Sequence, residues 1–484
     1  MSTERDRLSE TRSLCPTCLA EVPATYVARD DAVYLSRTCP DHGETSRQVW
    51  GSVDHWEWAN GFGPDPVPEG DIEVDGDHAC LAVVEVTEDC NLSCSFCFAS
   101  SGPGGKQKEF EEVVDLLEVV KAEGGTRPVQ FSGGEPTVRD DLPDLVARAR
   151  EMGFEHVQVN TNGLVLAQEA GYAQRLADAG VTAIYLQFDG LEPATYEAIR
   201  EVDISDAKHA AIEACREADI PAILVPTVVP GTNDHELGDI VRFALDNDDV
   251  VQSVNLQPVA HFGRYEQHEG RFSADECARR LAAQLDGLET RDLLPVPCCS
   301  STCQLATAVV EPVTGDDVMP VTRFLEGEAA GQLSGLVDEA DWLELLAGTS
   351  VGDDLARTAA DCCGGAECCG GAPDPVDGAL GGLLDAVMPV SVTGFMDADA
   401  ADVGRLNNCC LSVPTPDGDL VPFCGYNMTT DGGEYALRNR HGWGGRDGTD
   451  ADLPAAGEGA SAVGAGDAPP APEADYPRAD TDDD

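Results

Sequence analysis

At 484 residues with 42% hydrophobic side chains, the chain can hold two or three domains and a sizeable core. Eighty-nine acidic residues face thirty basic ones, giving a net charge of −59, and Lys106, Lys108, Lys121 and Lys208 are the only lysines. The carboxylates run through the whole chain, which excludes a simple acidic tail. Self-repulsion of that size is tolerable in high salt, where the Debye length falls to about 3 Å at 1 M.

The composition therefore reads as a halophilic archaeal, cytoplasmic protein with no nucleic-acid partner expected. The opening MSTERDRLSE is charged where a signal peptide would be apolar. No apolar run reaches the roughly 18 residues of a membrane span, so no transmembrane segment is expected. Nineteen cysteines, an odd number in tight clusters, favour metal ligation over a disulfide scaffold in a reducing compartment.

The first region, residues 1–79, carries Cys15-Pro-Thr-Cys18 and Cys39-Pro-Asp-His42, a C-x2-C-x20-C-x2-H pattern. Two such knuckles make a tetrahedral Cys3His site for zinc or a single iron. A Pro/Gly/Asp-rich linker then leads to Cys80.

Over residues 80–290, short apolar runs alternate with amphipathic stretches. The runs are LAVVEV at 81–86, PVQF at 128–131, HVQV at 156–159, AIYLQF at 183–188, AILVPTVV at 222–229 and VVQSVNLQPV at 250–259. EFEEVVDLLEVVKAE and ELGDIVRFALD between them repeat apolar residues at helical spacing. This alternation predicts an α/β fold of parallel units, a partial (β/α)6 barrel. Residues 291–440 form a cysteine-rich C-terminal region, interrupted by CCGGAECCGGAPDP, which reads as an insertion carrying Cys362, Cys363, Cys368 and Cys369. Residues 441–484, rich in Gly, Ala, Asp and Pro, are predicted to be a disordered acidic tail. Cys215 and Cys277 fall in helical patterns and read as core.

The chemistry concentrates just after the first barrel strand, in E-D-C-N-L-S-C-S-F-C-F-A. Cys90, Cys94 and Cys97 are spaced C-x3-C-x2-C. Three thiolates can hold three irons of a [4Fe–4S] cluster and leave the fourth open. A structural zinc site would close with four ligands. The loop after a barrel strand is also where β/α barrels keep their active sites.

These residues, with Phe131-Ser-Gly-Gly-Glu-Pro-Thr137 at the next strand end, resemble the radical S-adenosylmethionine (SAM) superfamily over residues 80–260. The resemblance implies that SAM chelates the open iron and is reductively cleaved to a 5′-deoxyadenosyl radical, with the electron coming from a low-potential donor such as a ferredoxin. It further implies SAM contacts from Gly133, Gly134 and Glu135, from Asn160 and Asn162, from Asp189, and from Phe96 over the adenine. No separate catalytic acid or base stands out.

Some of Cys298, Cys303, Cys409, Cys410 and Cys424 read as the ligands of an auxiliary [4Fe–4S] cluster. CPTC…CPDHG, HACLAVVEVTEDCNLSCSFCFA and CCLSVPTPDGDLVPFCGYN resemble an archaeal branch that includes tetraether lipid synthase and proteins labelled pterin methylases. Relatives in that branch carry several additional cysteines in the segment just before Cys80, where this chain reads Gly61-Phe62-Gly63-Pro64-Asp65 with no cysteine until Cys80. The substrate therefore stays open between an isoprenoid lipid undergoing carbon–carbon bond formation and a pterin, other small molecule or peptide being modified. A non-catalytic metal-binding interaction protein is the remote alternative.

Overall fold

The computed structural model describes residues 7–62, 80–265, 271–296, 300–312, 317–324, 384–435 and 437–438. The predicted linker, Cys298, the CCGGAECC stretch and the acidic tail lie outside the described residues.

Four strands, β1 (Arg7–Leu14), β2 (Glu21–Arg29), β3 (Ala32–Cys39) and β4 (Gly43–Trp50), pair antiparallel in sequence order. The knuckles sit at the β1–β2 and β3–β4 turns. A short helix, Val53–Asn60, follows, its N-terminus capped by Ser52.

The remaining strands among the described residues build one sheet. Its centre is parallel: β5 (Leu81–Thr87), β6 (Val129–Gly133), β7 (Val157–Thr161), β8 (Ala183–Gln187), β9 (Ala222–Val225) and β11 (Val251–Pro258), with β10 (Thr227–Val228) pairing the end of β11. These are the six predicted units, each within a few residues of its apolar run. In β5, Ala82 through Thr87 are all buried, as expected of a strand covered on both faces. The crossover helix Phe110–Gly124 buries Val113, Leu116, Leu117 and Val120 on one stripe and starts with a reciprocal Glu109–Glu112 capping box. Cys215 and Cys277 are fully buried in the core.

The C-terminal region contributes strands to both edges of this same sheet. β15 (Leu384–Thr393) pairs parallel with β11 and antiparallel with β13 (Gln304–Pro312), which in turn carries β12 (Leu294–Pro295) and β14 (Met319–Pro320). At the other edge β16 (Leu411–Pro414) pairs parallel with β5 and antiparallel with β17 (Leu420–Pro422). The chain thus brackets the barrel, and the segment joining β15 to β16 passes its open end. No helix among the described residues is long and apolar enough to cross a membrane.

Candidate functional site

The loop after β5 carries Cys90, Cys94 and Cys97 and is held from several sides. The Gly134 amide donates to the Thr87 carbonyl at 2.6 Å and the Glu135 amide to the Asp89 carbonyl at 2.8 Å, stitching the loop to the end of β6. A side chain on either glycine would collide with those carbonyls, and Gly133 sits at φ +119°. Glycine is required here by close backbone approach. From beyond β11, Arg264 exchanges backbone hydrogen bonds with Cys97 at 2.8 and 3.0 Å. Its guanidinium donates to the carbonyls of Cys94 (2.7 Å) and Ser101 (2.8 Å).

The three cysteines line one cavity of about 240 Å³ with Phe96, Gly133, Gly134, Glu135, Asn160 and Asn162. Phe96 packs on Ile199, Val229 and Val259 at its edge. The Asn160 amide reaches Ser132 (3.1 Å), and that of Asn162 reaches Asn91 (2.7 Å) on the cysteine loop. Glu135 is buried, and its carboxylate accepts from the Thr137 amide (3.0 Å), the Thr137 and Thr161 hydroxyls (2.5 and 2.7 Å) and the Asn162 amide (2.6 Å). With four protein donors on it, Glu135 acts on the cavity by fixing the ends of β6 and β7.

Asp189 is not brought to the cavity. It lies fully buried and pairs with Arg200, which does line the cavity beside Cys94. Lys208 is also fully buried, its ammonium on the Asn162 carbonyl (2.5 Å) and Gln187 Oε1 (2.8 Å). Burial pushes its pKa down to about 7. Sequence reasoning missed Arg200, Lys208 and Arg264. For Lys208 the scarcity of lysine was a usable signal; for Arg264 there was none.

The donor chemistry fits a cluster. Among the described residues lining the cavity there is no other Cys or His, so there the three thiols have no fourth partner of their kind. Burial and the nearby Glu135 carboxylate push the Cys90 thiol up to about 12. A thiol so placed ionises when a metal supplies positive charge. In the N-terminal set, Cys15, Cys18, Cys39 and His42, the ligand atoms all lie within 4.8 Å of one another, as ligands of a single ion would.

In that set Cys15 Sγ lies 3.6 Å and Cys39 Sγ 3.5 Å from His42 Nδ1, with Cys18 and Cys39 sulfurs 3.9 Å apart. Bonds of about 2.3 Å to sulfur and 2.0 Å to nitrogen in a tetrahedron require edges of about 3.5–3.8 Å. The four residues fit one tetrahedral ion.

Of the expected auxiliary ligands, Cys298 lies outside the described residues. Three others surround the short helix Val403–Asn407. Arg405 donates to Cys303 Sγ (3.2 Å), the Cys409 amide donates to the Leu406 carbonyl (3.2 Å), and Cys424 packs beside Leu406. The Cys410 carbonyl instead accepts from the Cys80 amide (2.7 Å).

Comparison with known proteins agrees with this geometry. Residues 84–244 match the radical SAM superfamily model and residues 7–51 the HMPTM N-terminal zinc ribbon domain. The chain is 32% identical to the 7,8-dihydro-6-hydroxymethylpterin dimethyltransferase of Methanocaldococcus jannaschii, over 86% of this chain and 93% of that protein. It is 30% identical to a GTP 3′,8-cyclase of Pseudomonas putida, over 43% of this chain and 63% of that protein. Among solved structures, Streptococcus suis SuiB aligns with a TM-score of 0.36 at 16% identity, over 42% of this chain and 45% of that one. A cavity walled by three thiols beside a glycine-cradled strand end, on a chain alike over nearly its whole length, leads to one assignment: this protein is an enzyme of the radical SAM superfamily, using a [4Fe–4S] cluster and SAM.

Proposed function

We propose that the enzyme modifies a pterin, by methyl transfer, in the cavity beside the cysteine loop. The observation that carries this reading is near whole-length similarity to a protein named as a pterin dimethyltransferase, which favours it over a tetraether lipid synthase-like role. The cavity, about 240 Å³, is compatible with it: among its mainly apolar lining, Gln130, Tyr185 and Gln257 offer hydrogen-bonding partners to a polar heterocycle.

In this reading Cys90, Cys94 and Cys97 would hold the cluster. With SAM bound, the cluster would supply a 5′-deoxyadenosyl radical able to activate an unreactive carbon. Gly133 and Gly134 let backbone approach SAM, Asn160 and Asn162 offer amides to it, and Phe96 covers the adenine. Glu135 and Asp189 act as positioning residues, one for the strand ends and one for Arg200. Burial keeps water from the reacting carbon. The ribbon ligands hold zinc or a single iron, and some of Cys298, Cys303, Cys409, Cys410 and Cys424 supply the ligands of an auxiliary [4Fe–4S] cluster. A low-potential donor such as a ferredoxin reduces the enzyme in a salty cytoplasm.

The test is anaerobic reconstitution followed by reduction with SAM and either 7,8-dihydro-6-hydroxymethylpterin or an archaeal lipid extract. Pterin-dependent release of 5′-deoxyadenosine, with a methylated pterin in the mass spectrum, is expected. Release stimulated by lipid alone overturns the pterin reading.

A further inference from the structure

The metal ribbon lies outside the cysteine cavity, yet the structure connects the two through one segment of chain. We propose that the metal-loaded ribbon is a buttress that fixes the C-terminal wall of the cavity, and through it sets substrate affinity without touching the substrate. The substrate part rests on the reading of the cavity given above; the mechanical part does not.

The first knuckle itself makes the joint. Thr17, between Cys15 and Cys18, donates its hydroxyl to Asp431 at 2.9 Å, and the Asp431 amide returns a 2.9 Å bond to the Pro16 carbonyl. Leu14 and Leu19, flanking that knuckle, pack on Ala398, Ala401 and Met428. Deeper in the joint, Asp402 accepts from the Thr11 hydroxyl (2.8 Å) and the buried Tyr26 hydroxyl (2.7 Å), both on the ribbon. The same carboxylate caps helix Val403–Asn407 through the Arg405 amide (2.9 Å). Ser13 bonds the Ala401 carbonyl (2.6 Å), and Arg47 pairs with Asp399 (3.1 Å).

The ends of this segment reach the cavity. Phe395, Leu411 and Phe423 line it. The two phenylalanines belong to a run of rings in which Phe98, on the cysteine loop, meets Phe423 at 5.5 Å, Phe423 meets Phe395 at 5.3 Å, and Phe395 meets Phe262 at 6.5 Å. A flat ring stacks on such a wall only if the wall keeps its place. Asp397 secures the middle, accepting from the His261 amide at 3.0 Å and from Arg271.

Metal enters because the knuckle end has little else to hold it. Val33, Leu35, Trp50 and Trp56 pack the far part of the ribbon, whereas the knuckle end has a cluster of only Cys15, Val22 and Cys39 and draws its rigidity from ligation. Loss of the ion frees Pro16 and Thr17, then Asp431 and the wall behind it.

The experiment uses the full-length, cluster-loaded protein with two variants. His42→Ala removes a metal ligand. Thr11→Val/Tyr26→Phe leaves all four ligands and cuts the two hydroxyl bonds to Asp402. Ribbon metal is measured by elemental analysis, the cluster by electron paramagnetic resonance, the wall by amide hydrogen exchange over residues 395–431, and affinity with 7,8-dihydro-6-hydroxymethylpterin. Both variants should keep the cluster signal, exchange the wall about tenfold faster or more, and bind the pterin about tenfold more weakly. If His42→Ala fails to fold, the double variant decides. Unchanged exchange over the wall in a variant that has lost its metal or its joint overturns the buttress. If the wild type itself does not bind the pterin, the substrate reading fails, and the exchange data still decide the mechanical claim.

Discussion

Asp189 grips Arg200 at two points, 2.6 and 2.7 Å, with the carboxylate fully buried and the guanidinium 8% exposed. The pair stands one residue back from the cysteine cavity: Arg200 faces it and Asp189 holds Arg200. The Thr227 amide (3.1 Å) and the Gln187 side chain also donate to Asp189. Removing the negative charge strands a buried cation.

Asp189→Asn should therefore cost about 3–5 kcal/mol of stability, the usual penalty for orphaning one member of a buried pair. Urea unfolding of the mutant and wild type, both free of SAM, measures it. A loss below about 1 kcal/mol would show that water or a neighbour compensates Arg200.

Gly134→Ala should lower iron content and weaken SAM, because the new methyl group meets the Asp89 carbonyl and pushes the cysteine loop off the end of β6. Overpacking of this kind costs about 1–3 kcal/mol. Gly432→Ala, whose methyl group meets nothing nearer than the Thr430 hydroxyl at 3.5 Å and whose φ is not positive, is the control. Iron quantitation and SAM titration of both compare them; equal behaviour would sink the argument from close approach.

Acid should destabilise the fold through His55. Burial pushes its pKa down to about 4, and its Nδ1 accepts from the Trp50 indole at 3.2 Å. Between pH 6.5 and about 4 the unfolded chain binds a proton there that the folded chain refuses, so stability falls as pH drops through that window. His55→Phe should flatten that limb of the stability–pH curve. A limb of unchanged slope would assign the acid sensitivity elsewhere.

Added potassium chloride should raise the melting temperature steadily, because the net charge of −59 repels itself and salt screens it. Thermal scans across salt concentration test this. A flat or falling profile would argue against the halophilic reading of the composition.

The parts visible in the sequence were those whose physics is local. Six apolar runs became the parallel strands because a strand covered on both faces must be apolar along its length, and β5 is. The cysteine triplet and the two knuckles were legible because metal ligation fixes spacing, and His42 falls 3.5 Å from Cys39 as the short C-x2-H step requires. Asp189 was misplaced for an instructive reason. Its position at a strand end was read well, but a strand-end carboxylate can face the cavity or turn back to a cation, and Arg200, eleven residues later, took it.

What the sequence alone determined is the chemistry on offer: three thiols one ligand short of a closed site, a glycine pair beside them, and a tetrahedral knuckle. What only the tertiary structure decided is who stands next to whom across long stretches of chain. Leu411 pairs with Leu81 and Val390 with Val254, and these pairings carry the C-terminal segment around both sides of the barrel and onto the ribbon. No periodicity encodes such neighbours, because they follow from the closing of the sheet and the burial of faces that no single element can bury alone.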